Sequence, residues 1–275
     1  MVSLQQKLNE GRALLLKKGC ESAPLDAKLI MSYVTNLSKV ELIIRSEDSL
    51  SAENCALYDA LIKKRATGYP IAYILGFKEF WGFNLKVSPD VLIPRPDTET
   101  LVEQALTFDF KSVLDMGTGS GAVILAIKHE RSQCRAYACD ISDTALQIAK
   151  ENAKNLHLEV VFKKSSWFEA YQEQRFDLIV SNPPYIREGD VHLAQSSLPF
   201  EPQNALVSGS DGLRDIQLII KNSLTHLNAG GHLLLEHGYD QGAMVRELFH
   251  ESHYVGVKTV KDLGQNDRVT IGRIP

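Results

Sequence analysis

Ser112-Val113-Leu114-Asp115-Met116-Gly117-Thr118-Gly119-Ser120-Gly121-Ala122-Val123-Ile124-Leu125-Ala126-Ile127 joins an apolar strand to an apolar helix through a glycine turn. Glycines let the backbone turn tightly and approach a ligand closely. In an open α/β sheet, ligands bind at the carboxyl ends of the strands, where such a turn lies. A second strand, 135–139, ends on Asp140. A carboxylate about 20 residues after the turn can take both hydroxyls of a ribose. Gly117, Gly119 and Ala122 also fit the dinucleotide fingerprint, so the turn alone leaves NAD open. Asp115 tips the choice, because a carboxylate before the first glycine can hold a cationic amino group. S-adenosylmethionine has such a group and NAD lacks it. A tight turn with no ligand would leave the strand–turn–helix context and Asp140 unused.

Outward from this unit the pattern alternates. Ala145, Ile148 and Ala149 mark a helix, and further strands are predicted at 158–163, 176–181, 232–237, 254–260 and 268–273. Helices are predicted at 211–227 and 240–250. Alternating strands and helices give an α/β fold with a mostly parallel sheet. The last two strands follow one another without a helix, so one runs antiparallel. Upstream, Leu101, Val102, Ala105 and Leu106 mark another helix. Residues 71–95, rich in aromatic and β-branched side chains and punctuated by Gly76, Gly82 and Pro89, read as a linking β-hairpin. Pro94 and Pro96 stiffen the chain after it. Residues 1–70 read as helices. Ala27, Ile30, Met31 and Val34 share one face, and Ala56, Leu57, Ala60 and Leu61 another, after Ser51 as N-cap with Glu53 in the first turn. Gly68-Tyr69-Pro70 ends this region.

The stretch 176–180 reads as a buried strand that runs into Ser181-Asn182-Pro183-Pro184-Tyr185. Two prolines fix two φ angles and remove two backbone donors, which makes the turn rigid. The Asn182 side chain accepts and donates hydrogen bonds, the Pro183 carbonyl accepts, and Tyr185 offers an aromatic face. That set suits a planar NH₂ group. Its lone pair is delocalised, so it is a poor nucleophile. Two acceptors can hold its hydrogens and aim the lone pair at an electrophilic methyl, and positioning then does most of the catalysis.

Bulk properties restrict the classes. The 275 residues, 44% hydrophobic and 23% charged, suit a globular protein with a sizeable core. A net charge of −4 argues against a mainly electrostatic grip on nucleic acid. No apolar run approaches the ~20 residues of a membrane helix, and the N-terminal stretch lacks a cleavage pattern. Cys20, Cys55, Cys134 and Cys139 fit neither a disulfide framework nor a zinc site, which points to a reducing cytoplasm. His250 and His253 have the spacing of ligands on one helical turn, but no third ligand is in view, and they read as surface residues. Lys17-Lys18 and Lys63-Lys64-Arg65 read as solvated helix faces. Glu236, at the end of a strand, is either functional or a solvated strand end.

The chain resembles the HemK/PrmC release factor glutamine methyltransferases over its length. The stretches that carry this are Gly76-Phe77-Lys78-Glu79-Phe80-Trp81-Gly82, Val91-Leu92-Ile93-Pro94-Arg95-Pro96-Asp97-Thr98-Glu99, the glycine turn, Asn182-Pro183-Pro184-Tyr185-Ile186 and Glu201-Pro202-Gln203-Asn204-Ala205-Leu206. The second stretch separates this family from other users of the Asn-Pro-Pro-Tyr turn, such as DNA adenine methyltransferases. The resemblance implies a helical substrate-docking domain at 1–70, a linking hairpin at 71–95 and a Rossmann-like, seven-stranded class I methyltransferase domain at 96–275. It implies S-adenosyl-L-methionine as cofactor and, as substrate, the glutamine of the Gly-Gly-Gln loop of bacterial class 1 peptide chain release factors. Carried over by position, Gly117, Thr118, Gly119, Ser120 and Gly121 cradle the cofactor. Asp140 takes its ribose, Trp167 lies beside its adenine and Asn182 borders it. Asn182, Pro183, Pro184 and Tyr185 bind the substrate amide, with Asn182, Pro183 and Tyr185 as the catalytic set. No metal is expected. The rival readings are a nucleic-acid adenine-N6 or guanine methyltransferase, which shares the chemistry, an NAD-dependent oxidoreductase, which leaves residues 182–185 unexplained, and a non-catalytic binding module.

Overall fold

The computed structural model describes residues 2–195 and 197–275. The chain forms two compact units: Met1–Gly76 with Ala194–Phe200, and Phe77–Leu193 with Glu201–Pro275.

The first unit is helical: α1 (Leu4–Lys17), α2 (Ala23–Thr35), α3 (Lys39–Ile44), α4 (Ala52–Arg65) and α5 (Ile71–Leu75). Serines start three of them. Ser3, Ser38 and Ser51 each accept a backbone N–H of the first turn, and Glu41 completes a capping box with Ser38. The core comes from Leu4, Leu8, Leu15, Ile30, Met31, Tyr58 and Ile62. The expected face of α2 is correct, since Ala27, Ile30 and Met31 are buried. That of α4 is not: Ala56, Leu57 and Ala60 are exposed, while Tyr58 and Ile62 are buried. Burying one tyrosine removes more apolar surface than burying two alanines. Its ring fills a notch over Gly11 of α1, where a Cβ would stand 2.3 Å from the Tyr58 hydroxyl. The basic run at the end of α4 is only partly a solvated face. Arg65 Nε donates to the buried Asp26 at 2.7 Å, and Lys64 Nζ lies 4.0 Å from the centre of the Tyr69 ring. Residues 71–75, expected in the hairpin, form α5, closed by Gly76 in the left-handed region. Phe200 meets Tyr69 edge-on with ring centres 5.3 Å apart.

The second unit opens with the hairpin of β1 (Phe77–Phe80) and β2 (Phe83–Lys86), shorter than the sequence suggests. Trp81 and Gly82, at φ 53° and 75°, make its two-residue turn. Then follow α6 (Glu99–Leu106), β3 (Ser112–Met116), α7 (Ala122–Glu130), β4 (Arg135–Asp140), α8 (Asp143–Asn155), β5 (Val161–Lys164) and β6 (Phe176–Ser181). The chain ends with α9 (Arg214–Ser223), β7 (Leu227–Glu236), α10 (Gly242–Glu251), β8 (Val255–Lys261) and β9 (Asp267–Arg273). The seven-stranded sheet has the order β5-β4-β3-β6-β7-β9-β8. All neighbours pair in parallel except β9, which runs antiparallel to both β7 and β8. One face packs on α6 and α7 through Leu101, Val102, Ile124 and Ile127. The other packs on α9 and α10 through Ile216, Ile219, Val245 and Phe249. Helices on both faces explain the apolar composition of β3, whose five residues are all buried. The strand order reverses between β3 and β6, which opens a crevice at their carboxyl ends.

Candidate active site

The glycine turn sits at that crevice. Gly117, Gly119 and Gly121 have φ of 70°, 55° and 86°, a region that L side chains rarely adopt. Gly117 N and Thr118 N both donate to the Cys139 carbonyl, which holds the turn against the end of β4. A Cβ on Gly117 would lie 3.6 Å from the Trp167 ring, so the indole edge stands next to the turn, and both border one slot. A Cβ on Gly121 would meet Leu125 at 3.0 Å and Ala149 at 3.3 Å, so this glycine lets α7 pack close to α8. Thr118 and Ser120 face inward. The Thr118 hydroxyl donates to Asp115 at 2.7 Å, and the Ser120 carbonyl accepts from Asn152.

Asp115 does not stand at the slot as the sequence suggests. It is buried at the root of the turn among Thr118 and the α7 backbone, and burial pushes its carboxyl up to about 7. Asp140 does face the slot. Its two oxygens accept Gly119 N and Ser142 N, both at 2.9 Å. Burial raises its pKa, and these backbone donors oppose the shift. Each oxygen keeps a lone pair for a further donor. Trp167 has φ 50°, a strained value for a bulky residue. Its carbonyl is pinned by the Ser165 hydroxyl at 2.8 Å and by the Cys139 thiol at 3.4 Å.

These groups open on a cleft of about 350 Å³, a volume suited to a small molecule. Gly117, Gly119, Asp140, Trp167, Asn182 and Pro184 all line it, together with Asn204 and Arg214. Of the other expected site residues, Thr118, Ser120 and Gly121 support the turn from behind. Pro183 is buried and Tyr185 is half-buried. A larger, open depression of about 700 Å³ lies at the amino ends of β4 and β5, lined by Lys128, Arg135, Lys150 and Lys154. None of the expected site residues borders it.

The turn after β6 is held from several sides. Ser181 Oγ donates to the Met116 carbonyl of β3 at 2.7 Å. Asn182 Nδ2 donates to Thr98 Oγ1 at 3.2 Å. Gln241 Nε2 donates to the Tyr185 carbonyl at 3.0 Å, and Gln241 Oε1 accepts Gly238 N. At Gly212, with φ 76°, a Cβ would stand 2.3 Å from that same carbonyl. The loop before α6 is tied to the loop before α9: Glu201 is buried and accepts both Ile93 N at 3.1 Å and Arg95 Nη2 at 2.5 Å. Thus two stretches that carry the family resemblance meet in space.

Glu236, left open by the sequence, is 1% exposed and is no solvated strand end. Burial pushes its carboxyl up to about 7, while the Thr98 and Tyr185 hydroxyls and the Arg268 guanidinium favour its charge. Oε2 has no hydrogen-bond partner. Thr98, Gly212 and Gln241, which surround the turn, are not singled out by the sequence, and Glu236 is left open by it. The clues were Thr98 inside the second family stretch and a carboxylate closing an apolar strand.

Among the described residues, no group of three His, Cys, Asp or Glu side chains could hold a metal ion. His250 and His253 are exposed. Among the described residues, no helix is long and apolar enough to cross a membrane.

Comparison with known proteins agrees with this architecture. Residues 6–76 match the PrmC N-terminal domain, and residues 96–258 the methyltransferase small domain. The chain is 42% identical to the release factor glutamine methyltransferase of Aliivibrio fischeri, over 99% of this chain and 98% of that protein. It is 45% identical to the Escherichia coli protein of the same name, over 92% and 93%. A methyltransferase structure from Pyrococcus furiosus shares the fold with a TM-score of 0.54 at 19% identity, covering 78% of this chain and 96% of that one. The cleft, the sheet order and a match along nearly the whole length lead to one conclusion: the chain belongs to the release factor glutamine methyltransferase family.

Proposed function

We propose that this protein transfers a methyl group from S-adenosylmethionine to the side-chain amide nitrogen of the glutamine in the Gly-Gly-Gln loop of peptide chain release factors, in the cytoplasm. One observation carries the reading: Asn182 and Pro184 line the same cleft as Gly117, Gly119, Asp140 and Trp167. The residues fit the cofactor. The left-handed glycines leave room for a ligand against the backbone, Trp167 offers a flat apolar wall, and Asp140 keeps lone pairs for a pair of hydroxyls. When bound, the cofactor supplies an electrophilic methyl group. Gly117 and Gly119 would border it, Asp140 would accept its ribose hydroxyls, and Trp167 would flank its adenine.

The chain's own part in the reaction is positioning. Asn182 Oδ1 and the Pro183 carbonyl accept the two hydrogens of the substrate NH₂, Pro184 keeps the turn rigid, and the Tyr185 ring stacks on the flat amide. This aims the nitrogen lone pair into the cleft and excludes water. A lone glutamine amide gives little affinity or selectivity, so residues 1–70 would dock a second part of the release factor. The test is incubation of the full chain with labelled S-adenosylmethionine and purified release factor, followed by peptide mass mapping. One methyl on the Gly-Gly-Gln glutamine, lost when that glutamine is replaced by alanine, is the expected result. Label that appears in nucleic acid and never in the release factor would overturn the reading.

A further inference from the structure

One face of α8 carries Ala145, Ala149 and Asn152, four and three positions apart. Ala145 borders the cleft, and a Cβ on Gly121 would meet Ala149 at 3.3 Å. Asn152 lies next along that face and is 2% exposed. A carboxamide buried this deeply must find hydrogen-bond partners. Its partners lie 66 and 32 positions back along the chain.

Asn152 Oδ1 accepts Lys86 N at 2.7 Å, and Nδ2 donates to Lys86 O at 3.0 Å. Two antiparallel strands exchange the same pair of bonds at one residue. The side chain thus stands in for a strand at the end of β2. Nδ2 also donates to Ser120 O at 2.9 Å, inside the glycine turn. Both of its hydrogens are then used. If the amide turned over, its oxygen would face two carbonyl oxygens and its nitrogen would face an N–H. Only one orientation satisfies all three partners.

The chain after Lys86 forms a wall of the cleft. Asp90, Val91 and Leu92 line it together with Gly117 and Gly119. Ser88 shapes the bend, since its hydroxyl donates to Asp90 Oδ2 at 2.8 Å and its carbonyl accepts Val91 N at 3.1 Å. Val87 and Val91 are buried. Beyond them, Glu201 accepts Ile93 N and Arg95 Nη2. The wall is therefore a strap held at both ends by buried side chains, and Asn152 is the end that also holds the glycine turn. The neighbouring ion pair of Lys86 with Glu151 is half-exposed and adds little to this hold.

We propose that Asn152 is a positioning residue for the cofactor: by holding Lys86 and Ser120 at once, it fixes the gap between the strap 87–92 and the glycine turn, and so sets the affinity for S-adenosylmethionine. This rests on the methyltransferase reading of the cleft. Asn152 does not line the cleft and acts through the two segments it holds. Glu201 keeps the far end of the strap beside the loop before α9. The loss of Asn152 therefore falls on cofactor binding and not on methyl transfer from bound cofactor.

The test uses the full-length protein as wild type, Asn152→Ala, Asn152→Asp and Tyr254→Phe. Asn152→Asp keeps an acceptor for Lys86 N and loses the donors to both carbonyls. Tyr254→Phe is the control for general destabilisation, because it removes a buried hydrogen bond of 2.7 Å to Ser223 at the end of α9. Thermal melts rank the variants, and calorimetry measures S-adenosylmethionine binding. Both Asn152 variants are expected to weaken binding at least ~10-fold, since each loses two or more hydrogen bonds. Tyr254→Phe should keep wild-type affinity despite a lower melting temperature. At saturating cofactor, single-turnover methylation of release factor by Asn152→Asp is expected to match wild type. In the wild type, exchange of the Lys86 amide hydrogen should slow when cofactor is added, because binding and the clamp stabilise each other. That measurement needs no variant to fold. Asn152 variants that bind cofactor as wild type does, an equal loss in Tyr254→Phe, a loss confined to the single-turnover rate, or a Lys86 amide indifferent to cofactor would overturn the role of Asn152. A wild type that binds no S-adenosylmethionine would instead sink the functional reading, and the proposal with it.

Discussion

A carboxyl group buried at the end of β7 has a thermodynamic signature of its own. Burial pushes Glu236 up to about 7 from an ordinary value of 4.5. Between those pH values the native protein binds a proton that the unfolded chain releases, so stability falls as pH rises through this window. Glutamine has the same shape and no charge. Glu236→Gln is expected to raise stability at pH 8 by roughly 3 kcal/mol at most, at about 1.4 kcal/mol for each tenfold change in proton affinity, and to change it little at pH 5. Denaturant melts at the two pH values measure the difference. Asp115 is raised in the same direction, so the comparison with wild type isolates Glu236. A variant that is more stable yet slower indicates a functional charge kept at a cost in stability. Two further substitutions separate the cofactor from the acceptor. Asp140→Ala is expected to weaken cofactor binding by about 1–3 kcal/mol in calorimetry, since hydroxyl partners are left unsatisfied. Asn182→Ala is expected to keep cofactor affinity and lose at least ~10²-fold in methylation rate. Near-normal turnover would reduce Asn182 to a turn residue.

The turn after β6 behaves as an element because other elements clamp it. Gly212, at φ 76°, packs directly on the Tyr185 carbonyl. Gly212→Ala forces a methyl into a gap of 2.3 Å and strains the backbone, so the turn must move. The expected outcome is a loss of about 1–3 kcal/mol in stability together with a lower methylation rate, while calorimetry shows cofactor affinity preserved. A variant with wild-type rate would mean the turn tolerates displacement. Gly212 also marks how far the sequence could be read. The stretch 176–181 was legible as a strand to the residue, because apolar residues bounded by a proline turn are a local signal. The glycine turn was legible for the same reason. Glu201 with Arg95, Gln241 with Tyr185 and Thr98 with Asn182 are partners 106, 56 and 84 positions apart, and no local period encodes them. Asp115 shows the reverse error. Its position before the first glycine suggested a ligand contact, but the nearest donors, Thr118 and the start of α7, claim it first. The face of α4 was misread because spacing counts apolar positions equally, whereas packing favours the largest side chain with a notch to enter, here Tyr58 over Gly11.

At the scale of the whole molecule, the question is how an enzyme that grips a few atoms of a glutamine avoids methylating others. Glutamine amides are common to all proteins, and the proposed contact of one with residues 182–185 carries little free energy. A second, separate contact adds selectivity when both sites engage one folded substrate. The helical unit offers a candidate. Val40, Ile43 and Ile44 lie three and four positions apart on α3, and are 64%, 69% and 76% exposed. Adjacent exposed β-branched side chains on one helical face are unusual unless something covers them. Only Leu42 of α3 is buried, so the outer face can be changed without disturbing the core. The double substitution Ile43→Asp with Ile44→Asp in the full chain is expected to raise the KM for intact release factor by at least ~10-fold. Its melting temperature, its cofactor affinity and its slow rate on a short Gly-Gly-Gln peptide should match the wild type, because the peptide meets only the cleft. The two substrates make the outcome decisive. A loss on both would place the damage in the cleft. Equal KM values for intact release factor in wild type and variant would mean that α3 is not the docking face, and selectivity would then have to come from the rims of the cleft itself.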